Sequence, residues 1–219
     1  MASAGGSEIE LKLGLPTRED WHLLLRRLAP PAETRVQENL FFEGPGGELR
    51  RLGASLRVRR ERVFRAKAWP REALFLTLKH GEQAKDGVFA RSEIECPLDP
   101  VDGRELTADP HALLGLDLEP VRALRGLAPG LRRLKPIGSF TNFRCVFEVA
   151  LEGRRTVWEV DRTDFPRGRV EYELEIEFPK IESAERARGH AAAKLEALGV
   201  RFQQQPLSKL RRFLQYSHD

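Results

Sequence analysis

Two periodicities divide the chain. In EIELK, residues 8–12, Glu8, Glu10 and Lys12 fall on one side and Ile9 and Leu11 on the other, as in a β-strand whose successive side chains point to opposite faces. Strand-like alternation also marks residues 36–43, 55–64, 73–81, 89–98, 138–151, 154–163 and 169–178. Stretches bearing Gly, Pro or many charges, such as GPGGELRRLG, AWPREA and DFPRGR, separate them as hairpin connections would. Helical spacing takes over in 17–28, where Trp21, Leu24, Leu25 and Leu28 recur behind a Thr17 cap with Asp20 three residues on. Residues 182–199, rich in Ala, Glu, Lys and Leu, and the shorter 206–216 also predict helices. Between the two groups of strands, 108–128 predicts one or two short helices interrupted by Pro120. The order of elements predicts an α+β fold, two halves of one sheet system with helices packed against it.

A charged strand face ordinarily meets water, and EIELK alone reads that way. The other strands change the reading. Arg57 and Arg59 share a face opposite Leu56 and Val58, and Thr77 and Lys79 share one opposite Leu76 and Leu78. Arg91, Glu93 and Glu95 repeat the arrangement around Ile94, Asn142 and Arg144 beside Phe143, and Glu159 and Asp161 around Val160. Glu171, Glu173, Glu175 and Glu177 do so around Tyr172, Leu174 and Ile176. Four carboxylates in a row repel one another unless cations stand opposite them. Antiparallel strands curled into a barrel resolve the conflict, with apolar faces outward under helices and charged faces inward around a water-filled lumen. Carboxylates at i and i+2, opposed by carboxylates of a distant strand, make the all-oxygen site that Mg²⁺ or Mn²⁺ prefers. Arg and Lys from other strands make a multidentate cradle for phosphate oxygens. A metal site beside a cationic cradle points to a polyphosphate ligand.

Composition narrows the partners. A chain of 219 residues, 41% hydrophobic and 32% charged, predicts a soluble globular protein of one large domain or two small ones, with many charges to place. Lys and Arg exceed Asp and Glu by 37 to 33, a net +4 that leaves an anionic ligand open but is too small to predict a nucleic-acid partner. Cys96 and Cys145 have no CxxC partner, so neither a disulfide framework nor a thiolate zinc site is expected, and a reducing, cytoplasmic setting is. MASAGGSEIE lacks a basic segment followed by an apolar one, and no apolar run approaches the roughly 20 residues of a membrane span, so no membrane partner is expected. The histidines show no HExxH spacing, Ser139 sits outside any GxSxG, and GxxxxGK is absent. Arg60, Arg62 and Arg65 read as a solvated face or a tunnel mouth.

Taken in order, EIELK, LRVR, LTLK, RSEIE, NFR, EVD and ELEIE, followed by PLSKLRRFLQ, resemble the CYTH superfamily, the triphosphate tunnel metalloenzymes, above all the plant-type members and thiamine triphosphatases. The resemblance runs from Glu8 to Tyr216. It implies one domain over 1–219, built as an eight-stranded antiparallel β-barrel that holds a triphosphate together with Mg²⁺ or Mn²⁺. It implies Glu8, Glu10, Asp161, Glu173 and Glu175 as metal ligands, with Glu177 an alternative for one of the late pair. Lys12, Arg57, Arg59, Lys79, Arg144 and Lys209 become the phosphate-binding cations; on residue type alone Lys209, on a short amphipathic helix, reads as solvated. Glu93 and Glu95 join Lys12 as catalytic positions that organise the basic side chains or a water. The implied activity is metal-dependent triphosphate hydrolysis, with an adenylyl cyclase and a polyphosphate-binding module without turnover as alternatives. No aromatic pair in the sequence stands out as a clamp for an organic group, so inorganic tripolyphosphate is the first expectation for this small-molecule substrate, ahead of thiamine triphosphate or a nucleotide. A monomer is expected.

Overall fold

In the structure, a computed structural model that describes residues 6–99 and 109–218, every segment with two-residue alternation is a strand. These are β1 (Gly6–Leu15), β2 (Glu33–Glu43), β3 (Ser55–Phe64), β4 (Arg71–Lys85), β5 (Val88–Leu98), β6 (Lys135–Leu151), β7 (Arg154–Asp164) and β8 (Val170–Glu177). They lie in the order β5-β4-β3-β2-β6-β7-β8-β1, and a β5–β1 pairing closes the sheet into an eight-stranded antiparallel barrel. Strand β1 makes the closure by using its two edges over different lengths. Gly6–Leu11 register with β5, while Glu10–Leu15 register with β8. A two-residue strand, β9 (Gln203–Gln204), adds to β1 beyond the point where β5 ends.

Among the described residues five α-helices accompany the barrel: α1 (Arg18–Arg27), α2 (Glu48–Arg51), α3 (Glu119–Leu127), α4 (Ile181–Ala197) and α5 (Lys209–His218). Their packing inverts the barrel. Leu11, Leu13, Leu15, Trp158, Val160, Leu174 and Ile176 form one core with Leu24 of α1 and with Ala184, Ala187, Ala191 and Leu195 of α4. Alanines at that helical spacing let α4 approach the sheet closely, and each buried leucine contributes about 1.5–3 kcal/mol. On the opposite wall Leu56, Leu76, Leu78 and Leu98 pack against Leu113 and against Val121 and Leu124 of α3. Because apolar residues alternate with charged ones, burying these two outer faces turns the charged faces inward. A third cluster, Phe41, Phe140, Phe165 and Phe213, seats α5.

Two local details differ from the sequence reading. Pro120 stands in the first turn of α3 and begins that helix rather than interrupting one, since a missing N–H costs nothing there. A separate 3₁₀ turn, Pro110–Gly115, precedes it; Ala108 lies outside the described residues. The connection GPGGELRRLG also holds α2, too short for periodicity to reveal, whose first N–H groups, those of Leu49 and Arg50, donate to the Glu43 carboxylate. Arg60 and Arg62 pair with Glu72 on the exposed outer surface, as a solvated face requires. No helix among the described residues is long and apolar enough to cross a membrane.

The predicted cap is present: the Thr17 hydroxyl accepts from the Asp20 backbone N–H at 3.2 Å. Arg201 donates to both Asp20 oxygens at 3.1 Å, tying α1 to the segment after α4. Burial pushes the Asp20 carboxyl up, but the hydrogen bonds from Arg201 and Thr17 outweigh it and hold it below its ordinary 3.8. A lowered folded pKa gives stability that is present above 3.8 and lost as pH falls through the folded value. Asp20→Asn is therefore expected to cost about 1.5 kcal/mol at neutral pH. In chemical denaturation the two proteins should converge in acid; a gap independent of pH would contradict this account.

Candidate active site

The inward faces divide the lumen by charge. Between β1 and β8, Glu10 stands opposite Glu177 and Lys12 opposite Glu175; between β7 and β8, Glu159 stands opposite Glu175 and Asp161 opposite Glu173. Arg57 and Arg59 of β3, Lys79 of β4 and Arg144 of β6 supply cations to the same interior. Together with Glu8, Glu93 and Glu95 they line one cavity of about 520 Å³.

The deepest group is Asp161, Glu173 and Glu175, whose carboxylate oxygens lie within 4.8 Å of one another. Asp161 and Glu173 are 0% and 1% exposed. Arg144 grips Asp161 through two parallel bonds of 2.8 and 2.7 Å and also reaches Glu159 and Glu175. Lys209 enters from α5, 2.8 Å from Asp161 and 3.0 Å from Glu175, and touches Glu173. Lys12 bridges Glu175 and Glu10, the latter at 3.0 Å. Burial alone would raise Glu175 and Asp161, yet these cations hold both carboxyls below their usual range. Glu159, opposed by Arg144, is pushed by burial up to about 7.

Glu8 and Glu10 form a second acidic station. Lys79 donates to both oxygens of Glu8 at 2.8 Å, and Arg91 spans Glu8, Glu10 (2.8 Å) and Glu82 (3.1 Å). Burial would raise Glu8, but Lys79 and Arg91 hold it well below the carboxylate range, whereas Glu10 ends raised by burial and by Glu8 and Glu175. The late triad is thus brought together, while Glu8 and Glu10 stand across Lys12 from it. Glu177 lies opposite Glu10 at the rim, apart from the triad. All these donors are carboxylate oxygens, the hard ligands that suit Mg²⁺ or Mn²⁺, so the residues present fit such an ion.

The cation wall is less well neutralised. Arg59 meets Glu95 at 3.0 Å, and Glu95 is steadied by the Thr77 hydroxyl at 2.7 Å. Lys79 meets Glu93 at 3.1 Å. Among the described residues Arg57 has one salt-bridge partner, Glu93 at 3.8 Å, and the Nε atoms of Arg57 and Arg59 are buried without a hydrogen-bond partner. Burial, then the neighbouring Arg59 charge, lower Arg57 to about 10. Burial and Arg91 likewise lower Lys79.

Every residue singled out for the site therefore faces the interior. Among the interior cations missed are Arg91 and Arg212. Arg91 shares the alternating face of Glu93 and Glu95, a pattern that already marked it. Arg212, 3% exposed, reaches Glu171 at 2.5 Å and also Glu173; its signal was its place three residues after Lys209 on one helical face. The structure also brings together an aromatic pair that the sequence separates: Phe41 and Phe140 stack at 5.3 Å on the cavity wall.

Helix α5 can deliver Lys209 because Gly138 makes room for Phe213. Gly138 has φ +121°, and a Cβ there would lie 2.8 Å from the Phe213 ring. Gly138→Ala is expected to cost about 1–3 kcal/mol through strain and overpacking. It should also weaken any activity that depends on Lys209. A calorimetric melt with wild-type stability would refute the seating role.

A closed barrel with its apolar faces outward, opposed charge inside and carboxylates clustered against an incompletely neutralised cation wall defines a charged β-tunnel protein. The CYTH domain family matches residues 6–214, and the chain belongs to that family. An adenylyl-cyclase candidate from Hippeastrum, described as revealing a dominant triphosphatase activity, is 30% identical with a TM-score of 0.80, over 95% of this chain and 96% of that one. An adenylate-cyclase candidate of Bacillus halodurans shares the fold at 23% identity and TM-score 0.67, over 95% and 98% of the two chains. A Pyrococcus horikoshii protein shares it at 18% identity and TM-score 0.61, over 94% and 99%. No curated protein matches by sequence comparison.

Proposed function

We propose that this protein is a divalent-metal-dependent triphosphatase that hydrolyses inorganic tripolyphosphate, or a small organic triphosphate, within its tunnel. One observation carries the reading: Arg57, enclosed beside Arg59 with its carboxylate partner 3.8 Å away, is lowered to about 10, an electrostatic deficit that a bound polyanion would fill. The Hippeastrum protein's dominant triphosphatase activity supports hydrolysis over cyclisation.

In this reading Arg57, Arg59 and Lys79 cradle phosphate oxygens from one side while Lys12, Arg144 and Lys209 approach from the other. Glu93 and Glu95 hold Lys79 and Arg59 in place. Glu8, Glu10, Asp161, Glu173 and Glu175 are the residues that would hold Mg²⁺ or Mn²⁺, which supplies Lewis-acid neutralisation of phosphate oxygens. A water attacks the terminal phosphorus, the bond to the bridging oxygen breaks, and the cation wall takes up the charge on the departing diphosphate. The protein acts as a cytoplasmic monomer on a small molecule, with neither nucleic acid nor membrane as partner.

The test is phosphate release from tripolyphosphate, thiamine triphosphate and ATP with Mg²⁺, with Mn²⁺ and with EDTA, together with detection of cyclic AMP. Metal-dependent release supports the proposal. Cyclic AMP as the main product from ATP, or tight tripolyphosphate binding that ignores EDTA without release, would overturn it.

A further inference from the structure

Two unsatisfied polar atoms on neighbouring strands of the lumen complement each other. Asn39 of β2 stands directly opposite Arg59 of β3 in the strand register, and both side chains line the cavity. Asn39 is 2% exposed, and its amide nitrogen donates to the backbone carbonyl of Gln37 at 3.2 Å. A carbonyl only accepts, so that bond fixes the orientation of the amide and makes its other atom, Oδ1, an acceptor. Among the described residues Oδ1 has no hydrogen-bond partner, and neither has the buried Nε–H of Arg59. An open acceptor and an open donor, both buried, each weigh against the folded chain, and such groups call for an explanation.

The rest of the Arg59 side chain explains why the two do not meet. One terminal nitrogen donates to Glu95 at 3.0 Å, and the guanidinium lies 5.2 Å from the centre of the Phe75 ring. Phe75 on β4 and Glu95 on β5 both lie on the side of β3 away from β2, so they draw the guanidinium away from Asn39. The Glu61 oxygen that lies 3.9 Å from Nε already accepts from Gln37 at 2.6 Å. A polyphosphate on the cation wall competes with Glu95 for the guanidinium.

We propose that Asn39 is a positioning residue for Arg59: when phosphate oxygens draw the guanidinium off Glu95, its Nε–H turns to Asn39 Oδ1, and that bond holds the terminal nitrogens on the anion. This rests on the triphosphatase reading and adds to it a residue that need not touch phosphate. A neutral amide suits the task because it orders the guanidinium without cancelling its charge, whereas a carboxylate there would repel the polyanion.

The experiment is a double-mutant cycle of Asn39→Ala with Arg59→Met, read as kcat and KM for tripolyphosphate with Mg²⁺ and as calorimetric binding of tripolyphosphate, beside thermal melts. Asn39→Ala alone should raise KM and Kd about tenfold, the loss of one charge-assisted hydrogen bond. In the Arg59→Met background it should change either by no more than about twofold. An equal factor in both backgrounds refutes the proposal, because a structural role, or direct contact of Asn39 with phosphate or water, acts without Arg59. Asn39→Ser, whose shorter side chain cannot reach as far, gives the same cycle should alanine fail to fold. Absence of phosphate release from the wild type overturns the triphosphatase reading, and the calorimetric cycle then decides Asn39 alone: coupling to Arg59 supports the positioning role, and independence refutes it. A wild type that neither hydrolyses nor binds tripolyphosphate overturns both.

Discussion

Glu8→Gln is expected to abolish metal-dependent phosphate release, a loss of at least about 10³-fold, while leaving the barrel folded. The substitution keeps the side chain's size and one carbonyl acceptor for Lys79 and Arg91, but removes the negative charge that a divalent ion would meet at the tunnel entrance. Lys79 keeps Glu93 and Arg91 keeps Glu10 and Glu82, so the neutral replacement leaves neither cation without a carboxylate. The thermal midpoint should move by no more than about 4 °C, the equivalent of roughly 1 kcal/mol in a chain of this size. Phosphate release with Mg²⁺ and with Mn²⁺, beside a thermal melt, reads both parts. Full activity in the variant would sink the metal assignment.

Arg57→Met is expected to separate function from stability in the opposite sense. Activity should fall by about 10²–10³-fold, because one donor to the departing diphosphate disappears. Stability should hold or rise. Arg57 loses its proton at about 10 in the folded chain, below its ordinary value when unfolded, so the unfolded state binds more protons between the two. Stability therefore rises as pH climbs through that window, and the charged guanidinium opposes folding at every lower pH. Methionine keeps much of the volume and removes that opposition, as apolar replacements of poorly compensated interior charges often do. Urea unfolding at neutral pH checks the sign. A variant both inactive and markedly less stable would mean that Arg57 holds the barrel together instead of waiting for an anion.

The two variants exploit the same asymmetry. Around Asp161 the cations are matched: Arg144 and Lys209 are both raised by their carboxylates, and removing a partner there would strand a buried charge. Around Arg57 the match is incomplete, and the deficit is where a polyanion belongs.

Much of this was legible in the sequence for one reason. A strand's side chains alternate strictly, so Leu56 and Val58 or Leu174 and Ile176 fix which face is apolar without knowledge of any partner. That rule placed Glu8, Glu10 and Lys12 opposite Ile9 and Leu11, and repetition over distant strands implied that the charged faces meet one another. Helix α1 with its Thr17 cap was equally local. Short elements were not: α2 and β9 span four and two residues, below any period.

Residue order by itself determined the strands and which residues of each share the charged face, because alternation and helical spacing are properties of neighbouring positions. Only the tertiary structure decided which charges neutralise which. Arg144 is divided among Glu159, Asp161 and Glu175, Lys209 crosses from α5 to the late carboxylates, Phe41 meets Phe140 and Arg57 is left short of a partner. Pairing across a closed barrel depends on strand register and on how a distant helix docks, and neither leaves a periodic mark on the chain.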